Sequence, residues 1–493
     1  MSDAMVSPAK PDDVFDRVHE WDDLAAFATD GAPGLRIGIV RGRRRHGKSF
    51  LLEHLCRAVG GAYVLALQES RFMALNHFAV ALGGRLGFPV GRFSDWVPAL
   101  ATAVDGLTRA GVRLLVLDEF PYLAASSPEL PSVLQALYDR RGPASGAPPF
   151  RIVLCGSAIS VMSTLLSGNQ ALRGRAVIDM RMGPFSYRDA AAYWDADPET
   201  AFLVDAVLGG APGYKDIVGA PPGKGQFFSW LRRSVLNPSH ALFTEPDYLL
   251  AEDPRIGHRS LYHAIWEATA NGATTPTQIG SLVGMDAKSL SYHLTVMRDA
   301  GFLRHDQDLL LQRRPVITVA DPVVRFHNLV VKPNLLDFEM RNAEPAWERS
   351  RATFSSKIEG PHFEELARAW ARRHASEAGL DDIGHVGTTE VACREHRGHE
   401  VDVIALSRNS LPRGKNTAIT LLGEAKHTAR PRGIADLERL QHIAALLGER
   451  GHDVSGTQYA VFSRSGFHRE LSAAATSTPV HLLNLADLYG TVS

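Results

Sequence analysis

The stretch RGRRRHGKSF, residues 41–50, limits what this chain can fold into more than any other. Gly42, four residues, then Gly47-Lys48-Ser49 is the spacing G-x-x-x-x-G-K-[ST]. Before it, LRIGIV (35–40) is a short apolar, β-branched run that reads as a buried parallel strand. After it, SFLLEHLCRAV (49–59) places apolar residues at helical spacing. In that setting the glycines let backbone N–H groups curl around an anion at a helix N-terminus. Lys48 would reach the β- and γ-phosphates of ATP, and the Ser49 hydroxyl would bind Mg²⁺. By charge alone, Arg41, Arg43, Arg44, Arg45 and Lys48 also read as a nucleic-acid patch. The spacing and flanking elements favour a phosphate cradle, with Arg45 and His46 inside the loop adding positive charge against the triphosphate.

Such a loop needs an acid at a neighbouring strand end. RLLVLDEF (113–120) supplies Asp118, which would hold Mg²⁺ through water, and Glu119, which would act as general base on the attacking water. A further strand, RIVLCGSAIS (151–160), carries Ser157 just past its end, placed to sense the γ-phosphate or orient the water. Arg173 or Arg175 would serve as an arginine finger on a neighbouring subunit's nucleotide, with Arg175 the one counted among the catalytic residues, and a homo-oligomer is expected. FLVDAVLGGAPGYKDIV (202–218) reads as helix, GG break and helix, a small lid with Lys215 a candidate nucleotide sensor. The order FDRVHE, GRRRHGKS, LLVLDEF, LCGSAIS, GRAVIDM, GGAPGYK resembles the archaeal-type ATPase family, of the AAA+/STAND branch of P-loop ATPases. The resemblance covers most of residues 11–240 and implies an ATP-hydrolysing parallel α/β sheet with a helical lid. Ser49 replaces the commoner Thr, and Ser157 stands where Asn is typical.

The middle of the chain reads as helix–turn–helix and hairpin. SLYHAIWEATANG (260–272) and TPTQIGSLVG (275–284) are helices closing on glycines, and DAKSLSYHLTVMRDAGFLRHD (286–306) starts on an Asp N-cap with Leu290, Leu294 and Met297 on one face. LLLQRRPVITVAD (309–321) would form the strands of a wing. This is a winged-helix pattern. Its second helix would present Lys288, Ser289, Ser291 and Tyr292 to DNA with His293 flanking, and Arg313 and Arg314 would touch phosphate.

In the last third, HRGHEVDVIALS (396–407) and TAITLLGEAKHT (417–428) read as strands carrying charge, which is costly unless the charges bind something. Residues two apart in a strand share a face, so Glu424 and Lys426 project together. With Asp402 opposite, two carboxylates and an ammonium converge, a set suited to Mg²⁺ or Mn²⁺ with a lysine to stabilise developing charge. This D…(D/E)-x-K arrangement resembles the PD-(D/E)xK nuclease superfamily across residues 350–493. A helix bearing Glu364 and Glu365 precedes it, and either would join the metal shell. Glu400-Val401 stands where that family often has Pro before the acid. Arg430, Arg432 and Arg464 would grip DNA locally. Cys393, His396 and His399 have metal-like spacing, but no fourth ligand lies near in sequence, so zinc is not expected there.

The net charge of −1 excludes a global polyanion binder. Three scattered cysteines, no apolar leader and no run long enough for a span point to a reducing, cytoplasmic setting without a membrane. The expected organisation is a flexible tail (1–10), an ATPase core (11–185), a helical lid (186–250), a winged-helix domain (251–345) and a restriction-endonuclease-like α/β domain (350–493). The expected function is an ATPase that regulates an attached Mg²⁺-dependent DNA endonuclease, with defence against foreign DNA a natural setting. The alternative is an ATP-dependent switch or scaffold that binds nucleic acid or protein without cutting.

Overall fold

The computed structural model describes residues 7–490 except 169, 314 and 394–397; Arg314 and His396 therefore lie outside the described residues. The first sheet holds β1 (Leu35–Arg41), β2 (Ala62–Leu65), β3 (Leu114–Asp118), β4 (Phe150–Gly156) and β5 (Ala176–Arg181). All are parallel, in the order β2-β3-β4-β1-β5. Helices cover both faces, which is why these strands read as unbroken apolar runs. One face packs Trp21, Leu24, Leu52 and Leu55; the other packs Phe78, Trp96, Leu100 and Leu134. The carboxyl ends of β1, β3 and β4 lie side by side, so the loops leaving them meet at one edge. Residues 7–10, assigned to a flexible tail, lead into this layer: the Trp21 indole donates to the Pro8 carbonyl at 2.9 Å.

Charged side chains also sit inside the fold. Arg151, at the start of β4, is 0% exposed. Its guanidinium donates to the carbonyls of Phe27, Asp30, Ala32, Gly34 and Phe150 at 2.6–3.2 Å and meets the Asp30 carboxylate at 3.0 Å. Arg151→Met keeps the volume but strands those carbonyls. It is expected to lower unfolding free energy by about 3–5 kcal/mol, read as a shift of the urea midpoint at constant slope.

The lid residues Trp230, Leu231, Val235 and Phe243 share a core with Phe326, Val330, Trp347 and Phe354. The helices after residue 322 thus pack on the lid, although sequence grouped most of them with the middle domain. A separate core joins helices Arg259–Ala270, Pro276–Val283 and Ala287–Asp299 to a two-stranded antiparallel sheet, β6 (Leu303–Asp306) and β7 (Val316–Val319). Leu290, Leu294 and Met297 are buried in it, and the Asp286 side chain caps the third helix. That helix was expected to run into residues 300–306. It stops at Asp299 because Gly301 takes φ 76° and Phe302 N–H closes on the Met297 carbonyl at 2.8 Å. The hairpin therefore begins with LRHD, upstream of the expected wing.

The second five-stranded sheet has β8 (Val386–Val391), β9 (His399–Leu406), β10 (Ile419–Lys426), β11 (Gln458–Ser463) and β12 (Val480–Asn484). Its order is β12-β11-β10-β9-β8, antiparallel from β8 to β10 and parallel from β10 to β12. Helix Gly360–Arg373 precedes it, and helix Ile434–Glu449 joins β10 to β11. One face also buries Tyr187 and Phe202 of the lid; the other buries Leu309 from the β6–β7 loop. Among the described residues no helix is long and apolar enough to cross a membrane.

Candidate functional site

The loop after β1 folds as its glycines require. A Cβ on Gly42 would lie 2.3 Å from the Met182 carbonyl oxygen, and Gly47 takes φ 84°. Lys48 is 5% exposed and donates to the Arg43 carbonyl at 3.0 Å, folded over the loop. Asp118 is fully buried at the end of β3 and accepts from the Tyr63 hydroxyl on neighbouring β2. Burial, then the adjacent Asp118 charge, push the Tyr63 phenol far up, so it stays a donor. Glu119 takes φ 50°, a left-handed value uncommon for such a side chain. Its carboxylate accepts from the Ser157 hydroxyl at 3.2 Å and from Ser157 N–H at 3.4 Å. Because β3 and β4 are adjacent, Ser157 can hold Glu119 directly. Lys48, Ser49 and Glu119 line one cleft of about 400 Å³.

The loop arginines have partners that sequence spacing does not reveal. Arg43 is ion-paired to Asp321 at 2.7 Å and lies 4.9 Å over the Phe302 ring. Arg44 meets Glu252 at 3.5 Å. Arg45 makes two bonds to Glu245, at 2.7 and 2.8 Å. Arg45 also lines the cleft, with its charge already matched by a lid acid. His46 donates or accepts at the Met182 carbonyl, 3.1 Å away, and burial followed by the Arg43 charge pushes it down to about 3. It is neutral at physiological pH, so it adds no positive charge against a triphosphate.

Four residues of the cleft escaped sequence reasoning. Phe15, Phe185 and Tyr193 form a cluster with ring centroids 5.2–5.5 Å apart. Arg17 lies over Phe185 at 4.7 Å and donates to the Gly183 and His46 carbonyls. All four line the cleft, the three rings tilted against one another as an aromatic side of it. The only signal was FDRVHE, in which Phe15 and Arg17 stand with no hint of their partners. Lys215 places its ammonium on the Tyr193 carbonyl and 4.5 Å over that ring. Arg175 makes two bonds to Asp139 of its own chain, at 2.9 and 3.2 Å, and Arg173 donates to the Gly168 carbonyl at 2.7 Å.

The second sheet gathers the other candidates. Asp402 on β9 and Glu424 on β10 are 4% and 3% exposed. The Lys426 ammonium lies 2.8 Å from Asp402 and 3.0 Å from Glu424. Asp402 also accepts from Ala425 N–H at 2.9 Å. Arg439, from helix Ile434–Glu449, bonds the other Glu424 oxygen. Burial and then Asp402 raise the Glu424 carboxyl; burial opposes the Lys426 charge, but both carboxylates hold its ammonium above the ordinary lysine value. Burial and the Asp402 charge push Glu364 up to about 7. Glu365 faces elsewhere: burial opposes its charge, but Arg304 at 2.8 Å and Arg325 at 3.5 Å hold it well below the usual carboxylate range. Next to Lys426, the His427 ring stacks on Phe202 of lid helix Pro198–Leu208, with centroids 4.9 Å apart.

The expected DNA contacts are spread differently. Lys288, Ser289, Ser291 and Tyr292 are exposed, and His293 bonds the Tyr262 hydroxyl at 3.0 Å. Arg313 is not free for phosphate: it pairs with Asp308 at 3.0 Å and Glu390 at 2.6 Å, where the β6–β7 loop is tied into the second sheet. Arg432 pairs with Asp436 and Arg464 with Glu199, while Arg430 is exposed.

Burial and repulsion also set a pH dependence. Burial pushes Glu252 up to about 7, with Arg44 opposing. A carboxyl whose folded value exceeds its unfolded value binds protons in the native state first. Its favourable contribution is complete below the ordinary value of 4.5 and is lost as pH rises through about 7. Unfolding free energy should therefore fall between about pH 5 and pH 8, with Glu252 and Glu364 each contributing roughly 2–3 kcal/mol. Urea titrations of Glu252→Gln and Glu364→Gln should each show a flatter pH profile.

Residues 35–191 match the family model described as an AAA domain. Over 388 residues the chain is 22% identical to the uncharacterized protein MJECL04 of Methanocaldococcus jannaschii, covering 75% of this chain and 80% of that one. It is similar to the Walker-type ATPase paby2304 of Pyrococcus abyssi at 16% identity, covering 66% of this chain and 98% of that one, with a TM-score of 0.49. The ORC2 protein of Aeropyrum pernix is similar at 14% identity over 64% of this chain and 95% of its own, with a TM-score of 0.35. With the glycine loop, the buried acid on β3 and the parallel sheet, the family match identifies residues 35–191 as a P-loop ATPase domain of the AAA type.

Proposed function

We propose that this chain is an ATP-driven regulator of a metal-dependent DNA nuclease carried in the same polypeptide. The observation that carries the reading is Lys426, whose ammonium bridges two nearly fully buried carboxylates, Asp402 and Glu424. The order helix, three antiparallel strands, helix, parallel strand around them agrees with the PD-(D/E)xK resemblance. A divalent cation fits this donor set: Glu364 and Glu424 are both raised by burial and then by the Asp402 charge, and a cation would relieve that repulsion. Asp402 and Glu424 would hold Mg²⁺ or Mn²⁺, with Glu364 the nearer helical acid. When bound, the ion polarises a phosphodiester and eases deprotonation of water. Lys426 then orients that water and offsets negative charge developing on the phosphate.

At the other site Lys48 and the glycine loop hold the ATP phosphates, Ser49 and Asp118 hold Mg²⁺, and Glu119, steadied by Ser157, takes the proton of the attacking water. Phe15, Phe185 and Tyr193 receive the base. Arg175 exchanges Asp139 for a neighbouring subunit's nucleotide in a homo-oligomer. The three-helix unit and hairpin act as a winged helix that meets DNA through Lys288, Ser291 and Tyr292. The route from nucleotide to nuclease runs through the lid, whose Phe202 stacks on His427 beside Lys426. Defence against foreign DNA, in a cytoplasmic setting, is the role such a coupling suits.

The non-cutting scaffold draws support from Arg439, which with Lys426 already neutralises Glu424. Plasmid incubated with Mg²⁺ or Mn²⁺, with and without ATP, separates the two. Metal-dependent cleavage that disappears in Asp402→Ala supports the nuclease. Intact plasmid throughout, alongside ATP hydrolysis, supports the scaffold.

A further inference from the structure

A second group of metal-type ligands lies in the same domain. Cys393 follows β8, His399 opens β9, and His442 projects from helix Ile434–Glu449. One ligand atom from each, the Cys393 sulfur and a nitrogen of either histidine, lies within 4.8 Å of the others. Cys393 Sγ is 3.6 Å from His442 Nε2. A tetrahedral zinc with Zn–S of about 2.3 Å and Zn–N of about 2.0–2.1 Å separates a sulfur and a nitrogen by about 3.6 Å. The two imidazoles stand nearly perpendicular, at 79° with centroids 5.4 Å apart. Two nitrogens can therefore point at one centre without the rings stacking.

Two of the ligands sit on regular elements, and Cys393 lies two residues past the end of β8. His399 pairs in register with Val391 across the β8–β9 ladder, so the end of β8 and the start of β9 are held together before any ion arrives. His442 belongs to a helix fixed by Leu440, Ile443 and Leu447 against Val391 and Val401. Sequence spacing grouped Cys393 with His396 and His399 and set zinc aside for want of a fourth ligand nearby; His442, more than forty residues after His399, was not in that set.

We propose that Cys393, His399 and His442 bind a zinc ion, leaving a fourth position for water or another donor. A thiolate with two imidazoles is a borderline-soft set that selects zinc over Mg²⁺ or Ca²⁺. The site would tie the β8 end and helix Ile434–Glu449 to β9. Asp402 lies three residues along β9 from His399, and Arg439, bonded to Glu424, lies one turn before His442. The ion would thus fix the framework around the carboxylates. It stands whether or not those carboxylates cut DNA.

The full-length protein, purified without added metal, is analysed for zinc and then reconstituted with Co²⁺ after chelation. Cys56 and Cys155 are buried at 6% and 0% exposure, so a sulfur-to-cobalt charge-transfer band reports Cys393. One equivalent of zinc, a cobalt–thiolate band, and loss of both in Cys393→Ser and His442→Asn are expected. Asp402→Asn, which alters only the carboxylate site, should keep both signals. Absence of zinc and of the cobalt–thiolate band, or full retention of metal by Cys393→Ser and His442→Asn, would overturn the proposal. Circular dichroism of the two variants checks that they fold; if neither does, absence of the band in the folded wild-type chain still decides against it.

Discussion

Replacing Glu119 by glutamine is expected to leave ATP binding intact and to slow phosphate release by about 10²–10⁴-fold. Glutamine has the same shape, so its side-chain oxygen can still accept from Ser157 where Glu119 does at 3.2 Å. It cannot take a proton from water. Asp118 lies on the other side of the same strand end, tied to Tyr63, and the substitution does not touch it. Lys48→Ala should behave differently, losing nucleotide binding itself, because the charge proposed to meet the phosphates is gone. Fluorescent-nucleotide titration beside phosphate release separates the two. Unchanged turnover in Glu119→Gln would remove Glu119 as the base.

Lys426→Met should abolish plasmid cleavage and also destabilise the chain by about 3 kcal/mol near neutral pH. Removing one partner leaves Asp402 and Glu424 buried and facing each other. The value sits at the low end of what breaking a buried pair costs because the Lys426 side chain is 34% exposed and partly screened by water. Glu424 is raised by burial even with Lys426 present, and without it should rise further. Its native value would then lie still further above the unfolded one. Stability would be retained below the unfolded carboxyl value and lost as pH rises through the raised one. The deficit against wild type should therefore shrink toward pH 5. Millimolar Mg²⁺ should recover part of it by binding the carboxylates that the lysine no longer bridges. Urea midpoints at several pH values, with and without Mg²⁺, check this. A deficit independent of pH would mean that the lysine contributes packing alone.

What could be read from sequence was local. β1, β3 and β4 are apolar runs ended by Gly42, Asp118 and Gly156, and both faces of their sheet are covered. Period-two spacing puts Glu424 and Lys426 on one face, and the structure bonds them at 3.0 Å. What escaped depends on contacts between distant segments. Arg43, Arg44 and Arg45 meet Asp321, Glu252 and Glu245, some two hundred or more residues later. Nothing in RGRRRHGKSF distinguishes an arginine facing phosphate from one facing a lid carboxylate. Glu364 and Glu365 are neighbours in sequence yet face Asp402 and Arg304 respectively, a split set by the rotation of one helix. Arg439 carries no motif and reaches Glu424 only because its helix crosses the sheet. The end of helix Ala287–Asp299 was misplaced because the apolar pattern continues past Gly301 after the backbone has turned.

These contacts also give the proposed coupling a physical form. Acids of residues 245–321 hold the loop arginines, and the lid that packs beside them stacks Phe202 on His427. A change at the phosphates that shifts the lid would bear on the strand end carrying Glu424 and Lys426. The measurement closest to this claim is the plasmid cleavage rate of Glu119→Gln held with ATP, set beside wild type held with ADP, both in Mg²⁺. The account predicts rates that differ by about tenfold or more, as expected for a coupling of roughly 1–3 kcal/mol. Equal rates in the two nucleotide states would contradict it.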